Sequence, residues 1–258
     1  MTDRALVAAG RAVGRPVVGW LRAAGALALL AGRSATALGS LDGRELARIL
    51  AWDGAQSLGL VAITAALAGA LVVVQTGFFI RQLGVLGLLG WGAGYASLRE
   101  VCPLLVALVY AGRVGAARAA EVAALRAGEQ LPALEALGVD SVRALLAPRL
   151  WGMAASVLLL TAFGDVVALA AAALAARGWL GLPVLEFWRS MRRSLGPRDA
   201  ALGLEKSAAF GLAIALSALR AGLAAPANGR GVGQAARAAV VHAIGWILLL
   251  DVLLTGGM

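Results

Sequence analysis

The sequence is short of the residues that most catalytic and metal sites are built from. It holds one cysteine, Cys102, one histidine, His242, and one lysine, Lys206, in 258 residues. A lone cysteine excludes a disulfide framework and a cysteine-based metal site. A lone histidine excludes a His-rich metal site or proton relay within one chain, although two copies in a dimer can still pair theirs. Aromatic residues make up 5% of the chain, too few and too scattered for a base-stacking platform. The net charge of +9, which on a soluble protein points to nucleic acid, therefore has another meaning here. No GxxxxGK[ST] phosphate loop occurs. The Gly-rich run "GRGVGQAA" at 229–236 lacks the Lys-Ser/Thr pair and a preceding strand. The chain thus carries no nucleotide site of its own and no nucleophile or metal set for an enzyme acting on lipids.

What it has instead is apolar length. Hydrophobic residues make up 61% of the sequence, against roughly 45–50% in soluble domains. A helix needs about 20 apolar residues to cross the hydrocarbon core. The first clear span, Ala55 to Ile80, has no charged residue, and Gly59, Ala62, Ala66, Gly69 and Ala70 give it small-residue surface for close helix contact. Arg81 to Gly94 reads as a short connection or re-entrant piece. Further spans are expected at about Tyr95–Gly112, Leu150–Ala176, Ala201–Ala224 and Ala238–Leu254. The fold class is an all-α integral membrane protein, with an N-terminal region 1–53 and a transmembrane domain 54–258.

Arginines flank most of these spans, where they anchor helix ends and bias orientation. The first forty residues interleave Arg4, Arg11, Arg15, Arg22 and Arg33 with apolar residues. Two readings compete there: an interfacial amphipathic helix, and a signal peptide with "AAGALALLAG" as its core. The long amphipathic Arg-bearing stretch favours the first. Five spans place the N-terminus and the 113–149 connection on the cytoplasmic side. The 177–200 connection then falls outside, yet it carries Arg177, Arg189, Arg192, Arg193 and Arg198. Charge alone leaves the topology open, and an even span count with 55–80 re-entrant is the alternative.

Ionisable groups at bilayer depth cost several kcal/mol unless paired or hydrated, and so mark functional candidates. Arg99, Glu100, Lys206 and Asp251 are candidates for one intramembrane polar network, either switching or static. Asp165 is a further group of this kind. Arg118 with Glu121, and Arg126 with Glu129, are three apart and share a face if 118–138 is one helix. Leu125, Leu131, Leu134 and Leu137 would then form its apolar side. Val72, Gln75, Phe78, Phe79, Ile80 and Leu83 are the best candidate wall for an apolar ligand, with exposure to bulk lipid as the plain alternative.

The run from "SLREVCPLLVALVYAGRVG" through "APRLWG" resembles the signature of the MlaE/YrbE permeases. Leu98, Arg99, Glu100, Pro103, Ala107, Ala111, Gly112, Arg113 and Gly115 match its first part. Ala120, Glu121, Glu129, Gln130, Asp140, Pro148 and Arg149 match the rest; Ser141 stands where the family usually has proline. The resemblance implies the homodimeric membrane subunit of an ABC transporter in the bacterial inner membrane. It implies a coupling helix at about 118–138, with Arg118, Glu121, Arg126, Glu129 and Gln130 facing a separate ATPase that holds the ATP and magnesium. It further implies an MCE-domain protein on the opposite face, a small STAS-type accessory subunit, and a phospholipid cargo. The competing classes are a proton-coupled secondary carrier, which usually shows internal repeats not seen here, and a non-transporting scaffold.

Overall fold

The computed structural model describes residues 43–256 and, ahead of them, 25, 28–29 and 31–36. No strand occurs among the described residues, and five helices are long and apolar enough to cross a membrane. In chain order the helices are α1 (Gly43–Gln82), α2 (Leu86–Ala127), α3 (Gln130–Ala136), α4 (Val142–Leu180), α5 (Val184–Ser194), α6 (Pro197–Ala224) and α7 (Gly229–Gly256). The chain reverses at 83–85 and 181–196 at one end of the bundle, called distal below. The reversals at 128–141 and 225–228 lie at the other, proximal end.

The helices run longer than the apolar stretches. α1 begins twelve residues before Ala55 and carries the polar segment 43–54 as its first turns, so no break falls at the expected boundary at 53. The 81–94 piece is not re-entrant. Only Leu83–Val85 turn, with Gly84 at φ +71°, and α2 starts at once. Several helices contain π-turns: Leu50–Gly54, Ser97–Val101, Ala111–Gly115 and Val142–Leu146. Two have a visible cause. Pro103 and Pro148 follow their turns closely, lack the N–H the regular ladder needs, and crowd the preceding carbonyls. The wider turn at 97–101 carries the Arg99–Glu100 pair, in keeping with the frequency of such bulges at functional positions.

Small residues set the helix spacing. A Cβ on Gly69 of α1 would sit 2.1 Å from the Ala168 carbonyl oxygen of α4, and one on Gly203 of α6 would sit 2.0 Å from that of Leu98 in α2. Backbones approach this closely only where a side chain is missing, which is how apolar helices gain contact in lipid. The main core joins α1, α2, α4, α6 and α7 around Tyr110, Leu150, Met153, Phe210, Ile214 and Ile247. A second cluster at the distal end packs Val73, Leu89, Ala93 and Ala172 around Phe187 of α5, which is fully buried. α7 buries one stripe, Gly231, Ala235, Ala239, Ala243 and Ile247, and leaves Val241, Leu248, Val252 and Leu253 exposed.

The expected coupling helix is not one helix. α2 ends at Ala127 and α3 begins at Gln130. Between them Glu129 takes a left-handed conformation with φ 57°, which L-residues adopt at a cost. Arg126 and Glu129 consequently do not share a helical face. The expected N-terminal interfacial helix falls largely outside the described residues, as does the signal-peptide alternative. Where it is described, 31–36 is helical, Arg33 bonds Asp140 at 3.0 Å, and the Ser34 carbonyl accepts from Trp151 Nε1 at 3.0 Å.

Candidate functional site

Two polar clusters interrupt the apolar bundle. The distal one is centred on Lys206, one turn into the apolar part of α6 and 1% exposed. Its Nζ donates to Glu100 Oε2 at 2.6 Å, to Thr255 Oγ1 at 2.6 Å and to Asp251 Oδ1 at 3.4 Å. Thr255 in turn donates to Glu100 Oε2 at 3.2 Å. The chain's one lysine thus ties α2, α6 and α7 together. Lysine offers three donors, and here each meets an oxygen. Asp251 and Thr255 are four apart on α7, so one face presents both.

Arg99 is the member of the expected quartet that lies apart from Lys206. Its guanidinium bonds Tyr95 OH at 2.8 Å, stacks 4.9 Å from the Tyr95 ring centroid, and lies 3.7 Å from Asp199. Arg99 and Glu100 are adjacent in the π-turn at 97–101 and point in different directions, so they face different neighbours. Asp199 also accepts from the Gly196 N–H at 3.0 Å, capping the start of α6. Asp165 is buried near the middle of α4, beside Cys102, and its Oδ1 has no partner among the described residues.

The proximal cluster is a chain of four charges. Arg118 holds Asp53 through two bonds of 3.0 and 2.8 Å and bonds Glu121 at 2.6 Å. Glu121 accepts from Arg149 Nη2 at 2.7 Å, and Arg149 Nη1 caps the Leu145 carbonyl at 2.8 Å. α1, α2 and α4 are clamped at one level by charge-assisted bonds, the stronger class. Arg113 donates to the Gln56 carbonyl, and Arg126 to the carbonyls of Leu223 and, at 3.1 Å, Ala225. A cation at the last carbonyls of α6 is favourably placed against that helix's dipole.

Arg118, Glu121 and Arg126 therefore engage the protein's own helices. Glu129 and Gln130 remain exposed at the tip. Of the apolar side expected for this segment, Leu131 is buried and Leu125 and Leu134 are half-buried, while Leu137 is 79% exposed because α3 has already ended. The candidate apolar wall also divides. Val72 and Ile80 pack against the distal cluster. Gln75, Phe78, Phe79 and Leu83 face outward, the two phenylalanine rings edge to face at 5.8 Å. They are not the residues around the apolar cavity of about 370 Å3 that lies between α6, α7 and residues 28 and 31, lined by Leu212, Leu216, Trp246 and Leu250.

Sequence reasoning passed over Asp53, Arg149, Asp199 and Thr255 as site residues. Thr255 was readable as the i+4 neighbour of Asp251. Asp53 was readable as the last charge before a long uncharged run. The Arg149–Glu121 pair, 28 residues apart, needed the fold.

The family model described as "Permease MlaE" matches residues 46–256. The intermembrane phospholipid transport system permease protein MlaE of Haemophilus influenzae is 32% identical over 201 residues, covering 73% of this chain and 77% of that protein. A probable ABC transporter permease protein of Rickettsia prowazekii is 30% identical over 199 residues, 77% of each chain. TRIGALACTOSYLDIACYLGLYCEROL 1 of Arabidopsis thaliana, a chloroplastic protein, is 30% identical over 202 residues; the match covers 77% of this chain and 57% of that longer protein.

Proposed function

The chain belongs to the MlaE permease family, and on that premise we propose that it is the membrane subunit of an ATP-driven transporter moving phospholipid between the inner membrane and the cell envelope. The name of the Haemophilus relative supports phospholipid as cargo, and that of the Rickettsia relative supports an ABC-type assembly. Two copies form the working unit. The exposed apolar faces of α1 and α7 support this, and the lipid path runs between the copies, with Phe78, Phe79 and Leu83 on its wall. A separate ATPase holds ATP and magnesium and docks at the proximal end. An MCE-domain protein binds the distal face, and a small STAS-type subunit completes the assembly.

The observation that carries this reading is the clamp Asp53–Arg118–Glu121–Arg149 beneath an exposed Glu129–Gln130 tip. A push on the tip cannot be absorbed locally, because the level below it joins three membrane helices. Tip movement is passed on to α1 and α4. The Lys206 tie then lets the distal halves of α2, α6 and α7 move as one unit.

The test is a pull-down of the tagged protein from native membranes in mild detergent, with mass spectrometry of proteins and lipids. Co-recovery of an ATPase, an MCE protein and enriched phospholipid supports the proposal, and Glu129→Arg should then lose the ATPase alone. Recovery of the chain by itself in several detergents would refute it and favour a carrier or scaffold.

A further inference from the structure

A polar cavity of about 220 Å3 opens beside the proximal clamp. It is lined by Glu45, Arg48, Ile49, Trp52, Arg118, Glu121 and Arg149, so α1, α2 and α4 each contribute. Charges of both signs line it. Arg118 is fully engaged by Asp53 and Glu121. Other groups retain donor capacity. Arg149 is 13% exposed, and its Nη1 and Nη2, each carrying two N–H groups, make one bond apiece, to the Leu145 carbonyl and to Glu121. Arg48 is 78% exposed, and among the described residues its Nη1 pairs with Glu45 one turn earlier, at 3.1 Å. Trp52 is 65% exposed.

The depth of the cavity is fixed by α1. From Ala55 to Ile80 the helix carries no charge, so Trp52 stands at the edge of the hydrocarbon, the level where indole rings concentrate. Arg48 and Glu45 lie one and two turns further out, among headgroups. A lipid of the adjoining leaflet standing against this edge of α1 brings its phosphodiester to the level of Arg48 and Arg149. The acyl side meets the Trp52 ring and exposed Ile63, three turns along the same face of α1. Guanidinium groups suit phosphate oxygens by geometry, and Glu45 and Glu121 beside them suit an amine.

The geometry points to a headgroup site for a phospholipid of the proximal leaflet, with Arg48 and Arg149 holding the phosphodiester, the Trp52 ring against the start of the acyl chains, and Glu45 and Glu121 favouring an ethanolamine-type amine. The site lies at the end of the bundle away from Lys206 and away from Phe78 and Phe79. It serves a bound lipid that stays, not the cargo. Its occupant bridges the exposed first turns of α1 to the clamp, so occupancy stiffens the level on which the proximal helices are joined. The inference rests on where α1 meets the membrane and needs neither an ATPase nor transport.

The experiment is native mass spectrometry of the full chain, purified and delipidated in detergent, titrated with dihexanoyl phosphatidylethanolamine and, separately, with inorganic phosphate. The expected result is one tightly retained lipid, with about tenfold weaker retention in Arg48→Gln, the loss expected for one charge-assisted contact, and weaker retention in Trp52→Ala through loss of the ring's apolar contact. Both residues are exposed, so folding is kept, and an unchanged unfolding temperature verifies it. Glu45→Gln should narrow the preference for phosphatidylethanolamine over phosphatidylglycerol. Unchanged lipid retention in both variants would overturn the site. Displacement of the lipid by equimolar inorganic phosphate would overturn the lipid assignment in favour of a soluble anion. Normal lipid retention with loss of a co-purifying ATPase would reassign the cavity to a protein contact.

Discussion

Removing the Lys206 ammonium should cost more than any one of its contacts suggests. At an effective dielectric of about 20, the attractions at 2.6 Å to Glu100 and 3.4 Å to Asp251 are about 6 and 5 kcal/mol before desolvation. Burying the ions costs several kcal/mol each, so the assembled cluster is worth far less than that sum. Lys206→Met removes the attraction and leaves two carboxylates facing each other. Glu100 is 33% and Asp251 21% exposed, so solvent screens part of the penalty. Breaking such a pair from one side typically costs about 3–5 kcal/mol, and the lower half of that range is expected here. The triple variant Lys206→Met, Glu100→Gln, Asp251→Asn removes the stranded charges and should recover most of the loss. Thermal unfolding in detergent, followed by tryptophan fluorescence and checked by size-exclusion profile, reads both. If Lys206→Met unfolds within a degree of wild type, or the triple variant is no better than the single, the cluster is not the tie described above. Transport in reconstituted vesicles separates tie from switch. A static tie is rescued by the triple variant in stability and transport alike, whereas a network that must exchange partners is rescued in stability alone.

Four further outcomes are expected. Gly69→Leu should separate α1 from α4 and lower the unfolding temperature sharply, because even a Cβ would meet the Ala168 carbonyl at 2.1 Å; a variant as stable as wild type would show that the two helices do not pack at this point. Glu129→Gly should stabilise by about 0.5–1 kcal/mol, since glycine accepts the left-handed backbone that glutamate adopts at φ 57°. Loss of ATPase binding in that same variant would place the docking contact on the Glu129 side chain. Asp165→Leu should be neutral or stabilising by about 1–3 kcal/mol, because it removes a buried oxygen without a partner; a marked loss of stability would mean that Asp165 is satisfied by water or a second copy. For Asp140 the desolvation cost, the largest single influence, is outweighed by the sum of hydrogen bonds from the Val142 N–H, the Arg33 guanidinium and the Arg143 N–H, which hold the carboxyl below its ordinary value of 3.8. A depressed carboxyl stabilises above its unfolded value and loses that contribution as pH falls through the folded one. Asp140→Asn should therefore flatten the unfolding curve below about pH 4 and leave it unshaped by pH at neutrality.

What the sequence made legible follows from how membranes constrain chains. Uncharged length gave the spans because lipid leaves a buried backbone few alternatives to a helix. Their ends were misplaced because helices continue into polar sequence wherever the turns beyond the bilayer find partners. Residues 43–54 look like a separate polar piece, yet they continue α1, since Asp53 is held by Arg118 from 65 residues away. The cost of charge at bilayer depth picked out Lys206, Glu100 and Asp251 as one network. Depth could not assign Arg99, because its direction depends on the π-turn at 97–101. The opposite error came at 118–138, where helical composition concealed a break. Nothing in the composition of Ala127–Gly128–Glu129 demands two helices, and the left-handed residue is a glutamate although a glycine stands next to it.

The arginines of 177–200 bear on orientation in a way their number does not. Five spanning helices put this connection and the 128–141 reversal at opposite ends, so an excess of arginine occurs at both. The two sets are used differently. Arg118 and Arg149 are bound to carboxylates that offset their charge, and Arg113 and Arg126 are held by carbonyls within the fold. On α5 Phe187 anchors the inner face. Arg189, Arg192 and Arg193 fall on the outward face and are exposed. Counting charges treats these cases alike. The bias of arginine toward one side of a membrane acts on charges in short loops near the span ends, before the helices have packed. If the distal end is external, as proposed, α5 must be carried across despite its charge, and its own apolar face, closing on Leu89 and Ala93, gives it a place to dock. Replacing Phe187 with serine should then loosen α5 and raise protease cleavage after Arg189 and Arg192 in right-side-out vesicles. Cleavage in inside-out vesicles alone would reverse the orientation.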